Sequence, residues 1–331
     1  MAMKVLVTGA GSLLLGGVAQ ALVERGDEVI CVQRRKLVTA HSTSLTQYGV
    51  DIRDREALTA AAVGCDAIIH GAARVGVVGT WEDFRSVNVD GTANVIHAAR
   101  AHGIARLVYV STPSVAHSGE SIVGATADVA VTGRKGSFYA ESKAQAEHMV
   151  LAANTDGLGV VSLRPHLVWG PGDTQLVGRI VDRARAGRLV MVGNGHALVD
   201  STYIDNAISA HLAALDAVAP RATCAGRAYV IANGEPRTVT ELIEGICQAA
   251  GVPFRPKHLA LPLARIAGSV VERLWPRLRS DEPPLTRFVA EQLGTAHWFD
   301  PRPARDDLAW SPHVTLDEGF TRLRVWFELN R

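Results

Sequence analysis

Cysteine is scarce in this sequence. Four residues in 331, Cys31, Cys65, Cys224 and Cys247, are widely scattered. None lies in a CxxC pair, so neither a zinc site nor a disulfide framework is expected, and free thiols in a reducing cytosol are. An excess of one charge is also missing. The formal net charge is +1, which gives no broad field to attract nucleic acid or an anionic membrane. No uninterrupted apolar run approaches the roughly 18 to 20 residues that span a bilayer. The opening MAMKVLVTG enters a strand at once. It carries no charged n-region, apolar h-region and cleavage site, so no secretory signal is expected and the cytoplasm is the expected location. No His/Asp/Glu cluster has metal-ligand spacing, so no metal is expected. Internal repeats and low-complexity tracts are absent.

What remains is an ordinary globular composition, 47% apolar and 20% charged. The length exceeds what one hydrophobic core usually fills, which predicts a large domain and a smaller lobe. The first half alternates short apolar runs with amphipathic stretches. Strands are predicted at 4–8, 28–33, 45–50, 66–70, 106–111 and 159–164. Helices are predicted at 14–25, 55–63, 81–102 and 137–153. Continuous apolar strands separated by helices predict an α/β fold, a Rossmann-like doubly wound parallel sheet whose carboxyl edge binds ligands. After residue 164 the pattern loosens. Helices are predicted near 175–186, 206–217 and 239–250, and a strand near 227–232. The tail from 256 is predicted mostly helical, broken by the turn-rich 280–284. The expected division is a dinucleotide-binding domain over 1–165 and a smaller, mostly helical substrate lobe over 166–331. Part of that lobe, about 200–232, is expected to return to the first domain.

VTGAGSLLLGG follows the first strand and opens the first helix. Glycines there allow a tight turn and close approach of backbone to a pyrophosphate, and the helix start offers free N–H groups. Gly9, Gly11, Ser12, Leu15 and Gly16 are the candidates. The glycine spacing is GxGxxxxG rather than GxGxxG, which leaves open which glycine faces the phosphates. The second strand ends Cys31-Val32-Gln33-Arg34-Arg35. A carboxylate for the ribose hydroxyls is lacking, and two guanidinium groups suit a 2′-phosphate. NADPH is therefore the favoured cofactor and NAD(H) the alternative.

Tyr139-Ala-Glu-Ser-Lys143 lies on the helix predicted after the VYVST strand. Spacing of four puts both side chains on one face, one turn apart. A phenol near pKa 10 is a poor proton carrier at neutral pH, and a neighbouring ammonium is expected to lower that value. The tyrosine can then protonate a ketone oxygen as hydride arrives, or take a proton from an alcohol.

The motifs VTGAG, DIRD, HGAA, NVDGTANV, VSTPSV, YAESK and RPHLVWGPGD occur in the order seen in the extended short-chain dehydrogenases/reductases, and the sequence resembles that family over about residues 3 to 230. The resemblance implies a Ser/Thr–Tyr–Lys catalytic set. It puts the hydroxyl at Thr112, with Ser111 and Ser114 as competitors. It also implies that Asp51 and Ile52 border the adenine, that Gly71, Ala72 and Ala73 line the cofactor cleft, and that Asn88 braces the strands. Lys143 would also hold the nicotinamide ribose, and Pro165 to Val168 would lie by the nicotinamide. Homodimers pairing through the helices of Asn88 and Tyr139 are common in that family, so a homodimer is expected.

Two departures count against a nucleotide-sugar substrate. Pro113-Ser114 replace the acidic pair of the sugar dehydratases, and Leu167 stands where the epimerases usually carry Asn. The apolar run Pro165 to Trp169 resembles the 3β-hydroxysteroid dehydrogenase branch instead. Within it, the sequence is similar to the reductases of 2-alkyl-3-oxoalkanoic acids in bacterial long-chain olefin biosynthesis. The expected reaction is NADPH-dependent reduction of such a β-keto acid. The alternatives are a hydroxysteroid dehydrogenase, a sugar epimerase, or a non-catalytic NADP sensor, which would typically lack the Tyr/Lys pair. Arg134, Lys135 and Arg179 are candidate partners for a substrate carboxylate. His117 and His166 are given no catalytic role. The apolar stretch 259–278 is read as a core helix, an apolar substrate wall, a membrane-surface helix or a contact for a pathway partner.

Overall fold

The computed structural model describes residues 2–34, 44–76, 78–116, 120–133, 137–278 and 287–330, with only the backbone path of 272–278 and 287–289. Arg35, His117, Arg134, Lys135 and the 280–284 turn lie outside the described residues.

Seven strands form one parallel sheet: β1 (Lys4–Thr8), β2 (Glu28–Gln33), β3 (Leu45–Gly49), β4 (Ala67–His70), β5 (Arg106–Val110), β6 (Gly159–Pro165) and β7 (Arg227–Ile231). Their order is β7-β6-β5-β4-β1-β2-β3. Strand order reverses between β1 and β4, and ligands of doubly wound sheets bind outside the carboxyl ends at such a reversal.

The covering helices are α1 (Leu13–Arg25), α2 (Arg55–Ala61), α3 (Gly91–Ala101), α4 (Phe138–Ala152) and α5 (Ile204–Ala217). Side chains on a strand alternate between faces, so β1 feeds two cores. Val5 and Val7 join Leu15, Val18 and Leu22 of α1 and Ala210 and Ala214 of α5. Leu6 points the other way, to Leu58 of α2, Val95 and Ala99 of α3 and Val150 of α4. Both faces are therefore dry, which is why these strands read as unbroken apolar runs. Ser12 caps α1 by accepting the Leu15 N–H at 3.2 Å, and Gly26 ends it at φ 95°.

The single helix expected over 81–102 is divided. Trp81–Phe84 is α-helical, Arg85–Asp90 forms a π turn, and α3 follows. The π turn holds Asn88, whose buried amide is fully engaged in the interior. Inserted π turns of this kind recur at functional sites.

The second half of the chain contributes to both ends of the molecule. α5 packs on the α1 face and β7 extends the large sheet beside β6. A small sheet has the order Arg237–Thr238, Leu198–Val199, His297–Phe299, Ile122–Ala125. Its edge strand Ile122–Ala125, unforeseen in the sequence, comes from the loop before α4 and pairs with His297–Phe299. A third core joins Trp169, Tyr203, Ile180, Ile243, Ile246 and Leu323. Among the described residues no helix is long and apolar enough to cross a membrane.

Candidate active site

The turn from β1 into α1 sits against the loop leaving β4. Gly9 adopts φ +81°, and a Cβ there would fall 2.8 Å from the Ala72 backbone nitrogen. Only glycine fits so close a backbone approach. A Cβ on Gly16 would lie 3.0 Å from the Ala10 carbonyl, so this glycine serves the packing of helix on turn. Gly11 and Ser12 are exposed, and the first turn of α1 carries no acidic residue. An exposed helix start without a carboxylate fits a dinucleotide pyrophosphate.

The side chains of Leu15 and Ile52 are turned into the core. The two residues are 3% and 5% exposed. Leu15 packs where a Gly71 Cβ would stand, and Ile52 fills the space beside Gly91. What they can offer a ligand is backbone.

At the far end of the edge, Asp51 accepts Nε and Nη2 of Arg53 at 3.0 and 2.7 Å. The Arg53 hydrogen bonds, with the Arg34 charge nearby, hold the Asp51 carboxyl below its ordinary pKa. Arg53, which sequence reasoning missed, thus lies near the expected cation Arg34. The Gln33 side-chain nitrogen is buried here without a hydrogen-bond partner. Two guanidinium groups and an unsatisfied donor fit the adenosine end of a phosphorylated dinucleotide.

A buried polar chain runs under the cleft. Thr8 Oγ1 accepts the Gly71 and Ala72 N–H groups at 3.2 and 3.1 Å and meets His70 Nδ1 at 2.7 Å. His70 Nε2 meets Thr92 Oγ1 at 2.9 Å, and Thr92 donates to the Asn88 carbonyl at 2.6 Å. Burial and the Lys143 charge push His70 down to about 3, so it is neutral at physiological pH. The Asn88 amide clamps the Arg74 backbone through both its groups, at 2.7 and 3.0 Å, and donates to Ser142 Oγ at 2.9 Å. Ser142 donates to the Tyr139 carbonyl at 2.9 Å. The loop lining the cleft and the helix carrying Tyr139 are therefore held by one network. Ser142 and His70 were missed in the sequence because their partners are remote in the chain.

Tyr139 and Lys143 stand one turn apart on α4 at the carboxyl ends of β4 and β5. Tyr139 is half-buried and Lys143 is 2% exposed. Lys143 Nζ donates to the Val110 carbonyl at 2.7 Å and sits 4.1 Å from the Tyr109 ring centroid. Burial pushes this amine down to about 7, against the opposing charge of Glu147. Burial likewise pushes the Tyr139 phenol up to about 12, while a hydrogen bond with Thr112 pulls it down. Against the expectation that Lys143 lowers the phenol pKa, desolvation dominates in the protein alone, where one Nζ donor of Lys143 is on the Val110 carbonyl.

Of the three hydroxyls on this loop, Thr112 is the one that engages Tyr139. Ser114 backs it, with the two oxygens 3.1 Å apart. Ser111 is buried, and its hydroxyl faces the Glu147 carboxylate, helping to hold it ionised.

Beyond β6, Pro165 still pairs with Ile231 and Val168 pairs with Thr202, both half-buried. His166 packs edge-on against Phe299 and His297, with ring centroids 5.2 and 6.0 Å apart. Leu167 is held at φ 42°. Trp169 is fully buried, with its indole N–H on Ser201 Oγ at 3.0 Å. Arg179 is exposed and donates to Gln175 at 2.8 Å. On the helix Leu261–Leu278, Ala264 packs inward while Leu263, Ile266 and Val270 are exposed. Among the described residues no three His, Cys, Asp or Glu side chains are grouped to hold a metal ion.

Comparison with known proteins agrees with this geometry. The model of the 3-beta hydroxysteroid dehydrogenase/isomerase family matches residues 6–263. A 2-alkyl-3-oxoalkanoate reductase of Stenotrophomonas maltophilia is 47% identical over 326 residues, covering 98% of this chain and 99% of the relative. A 3-beta-hydroxysteroid dehydrogenase of Mycolicibacterium neoaurum is 31% identical over 340 residues, covering 98% and 91%. The solved structure of the Bordetella bronchiseptica enzyme WbmH in complex with NAD+ superposes with a TM-score of 0.74 at 21% identity, covering all of both chains, and shows the fold. The chain belongs to the 3-beta hydroxysteroid dehydrogenase/isomerase family, NAD(P)-dependent enzymes acting on CH–OH and C=O groups.

Proposed function

We propose that this enzyme reduces the 3-keto group of a long-chain 2-alkyl-3-oxoalkanoic acid to the 3-hydroxy acid, with NADPH as hydride source. The observation that carries this reading is the placement of the Tyr139 phenol, one helical turn from Lys143 with the Thr112 hydroxyl facing it. A protonated phenol can give its proton to the carbonyl oxygen in reduction, and the phenolate can take it back from the alcohol in the reverse reaction. Thr112 orients the carbonyl oxygen toward the phenol. Lys143 holds positive charge beside the phenolate left behind. Bound NADPH supplies the hydride. Gly9, Gly11 and Ser12 seat the pyrophosphate by backbone, Gly16 lets the helix pack on that turn, and Gly71 to Ala73, Ser111, Pro165 and Val168 line the rest of the cleft. Arg34 is the cation offered to a 2′-phosphate, and Arg53, held by Asp51 beside it, would have to share its guanidinium. The substrate class is supported by the 47% identity to the Stenotrophomonas maltophilia reductase across almost the whole of both chains.

A hydroxysteroid substrate is the second reading, favoured by the Mycolicibacterium neoaurum relative at 31% identity. The deciding experiment follows nicotinamide absorbance with a long-chain 2-alkyl-3-hydroxy acid, a 3β-hydroxysteroid and a nucleotide sugar, each with NADP+. Turnover of the hydroxy acid is expected. Turnover of the sugar alone would overturn both readings. Tyr139→Phe is expected to lower turnover by about 10² or more while cofactor still binds, and an active Tyr139→Phe enzyme would remove Tyr139 from the chemistry.

A further inference from the structure

Lys143 has a second charged neighbour on its own helix face. Tyr139, Lys143 and Glu147 follow at intervals of four on α4, so the three stack one turn apart. Glu147 is completely buried. Its carboxylate accepts Nε of Arg164 at 3.0 Å, a further short bond from the other arm of that guanidinium, and the Ser162 hydroxyl at 2.9 Å. Arg164 is only 2% exposed and donates its remaining arm to the Asp128 carbonyl at 2.7 Å. The pair thus joins the catalytic helix, the end of β6 and the loop around Asp128.

A buried ion pair is a poor device for stability alone, because desolvation offsets most of its attraction. Its position suggests another use. The groups facing Lys143 are Tyr139 and Glu147 on α4, Tyr109 and the Val110 carbonyl on β5, and His70 on β4. His70 is neutral and both phenols are protonated at pH 7, so Glu147 is the one anion among them. Arg164 in turn keeps Glu147 ionised, since its hydrogen bond and charge outweigh burial and hold the carboxyl below its ordinary value.

We infer that Glu147 is a positioning residue for catalysis, whose Arg164-held negative charge keeps the Lys143 amine protonated in a site that would otherwise neutralise it. This rests on the Tyr139–Lys143 machinery and not on which carbonyl compound is reduced. The pair also accounts for two fully buried charged side chains that no catalytic step uses directly.

The sequence contains only five lysines, so their titration can be followed one by one by NMR in protein with labelled lysine side chains. The Lys143 signal is identified by its loss in Lys143→Met. In Glu147→Gln the Lys143 midpoint is expected to fall by about one pH unit. The alkaline limb of kcat for reduction is expected to move to lower pH by the same amount. Glu147→Asp keeps the charge and should keep the wild-type limb. The double variant Glu147→Gln, Arg164→Gln leaves no unpaired buried charge, so it answers the question even if Glu147→Gln alone fails to fold. Loss of the Arg164 cation partly offsets loss of the nearer Glu147 anion, so its midpoint should fall by less than in Glu147→Gln. An unmoved Lys143 midpoint in the double variant, or in a folded Glu147→Gln protein, would reduce the pair to a structural tie and overturn the inference. Failure to turn over any keto acid, with the midpoint shifted, would instead count against the substrate reading alone.

Discussion

The amide of Asn88 and the hydroxyl of Ser142 meet at 2.9 Å, 54 residues apart in the chain. This contact couples the loop leaving β4 to the helix of Tyr139. Asn88→Ala would strip the Arg74 backbone of both its partners as well. A stability loss of about 2–3 kcal/mol is expected from the unsatisfied buried groups, against about 1 kcal/mol for Ser142→Ala. Denaturant unfolding checks the difference, and turnover should fall with Asn88→Ala in the folded protein. Equal stability of the two variants would disprove the clamp.

Cofactor choice is expected to follow the cations at the adenosine end. NADPH should outcompete NADH, and Arg34→Ala or Arg53→Ala should each narrow the gap by about tenfold, the effect of one lost charge-assisted contact. Competition titrations of the two reduced cofactors measure it. A wild-type preference for NADH would contradict the assignment.

Gly9 and Gly64 both have positive φ, +81° and +69°, but only at Gly9 would a Cβ meet backbone. Gly64→Ala should therefore cost only the left-handed strain, about 1 kcal/mol. Gly9→Ala should cost more and weaken NADPH binding, because the turn must move off Ala72. Melting temperatures and cofactor fluorescence report both. Equal costs would mean that the close approach carries no energy.

Asp200 is buried, with one oxygen accepting the Phe299 N–H at 2.9 Å and with the Gly234 and Glu235 backbone N–H groups facing its carboxylate. Burial raises its pKa from 3.8 to about 6. The folded state then binds this proton more tightly than the unfolded chain. Its contribution to stability is present at low pH and is lost as pH rises from about 4 to 6, about 3 kcal/mol in all. Asp200→Asn should remove that decline and leave the protein more stable than wild type at pH 7. Denaturant unfolding at several pH values tests it, and an unchanged pH slope in Asp200→Asn would show that the carboxyl does not titrate there.

Much of the fold was legible in local pattern. The strands β1, β2 and β5 and the helix α1 were readable because a strand covered on both faces is a continuous apolar run and a helix start needs a cap. Ile122–Ala125 was not, because four residues with a glycine carry little periodicity and their partner strand lies at 297–299. The π turn at Asn88 was hidden for a similar reason. Its residues have helical composition, and only the contacts with Arg74 and Ser142 favour the wider turn.

The sequence by itself determined the alternation of apolar runs and helices, the glycine turn after β1, and the one-turn spacing of Tyr139 and Lys143. These are properties of neighbours in the chain, set by backbone geometry and side-chain period. Only the tertiary structure decided the charge states. Packing β4, β5 and β6 around α4 removed water from Lys143, Tyr139 and Glu147 and brought up Arg164. Desolvation and remote charge act through space, and no local spacing encodes them.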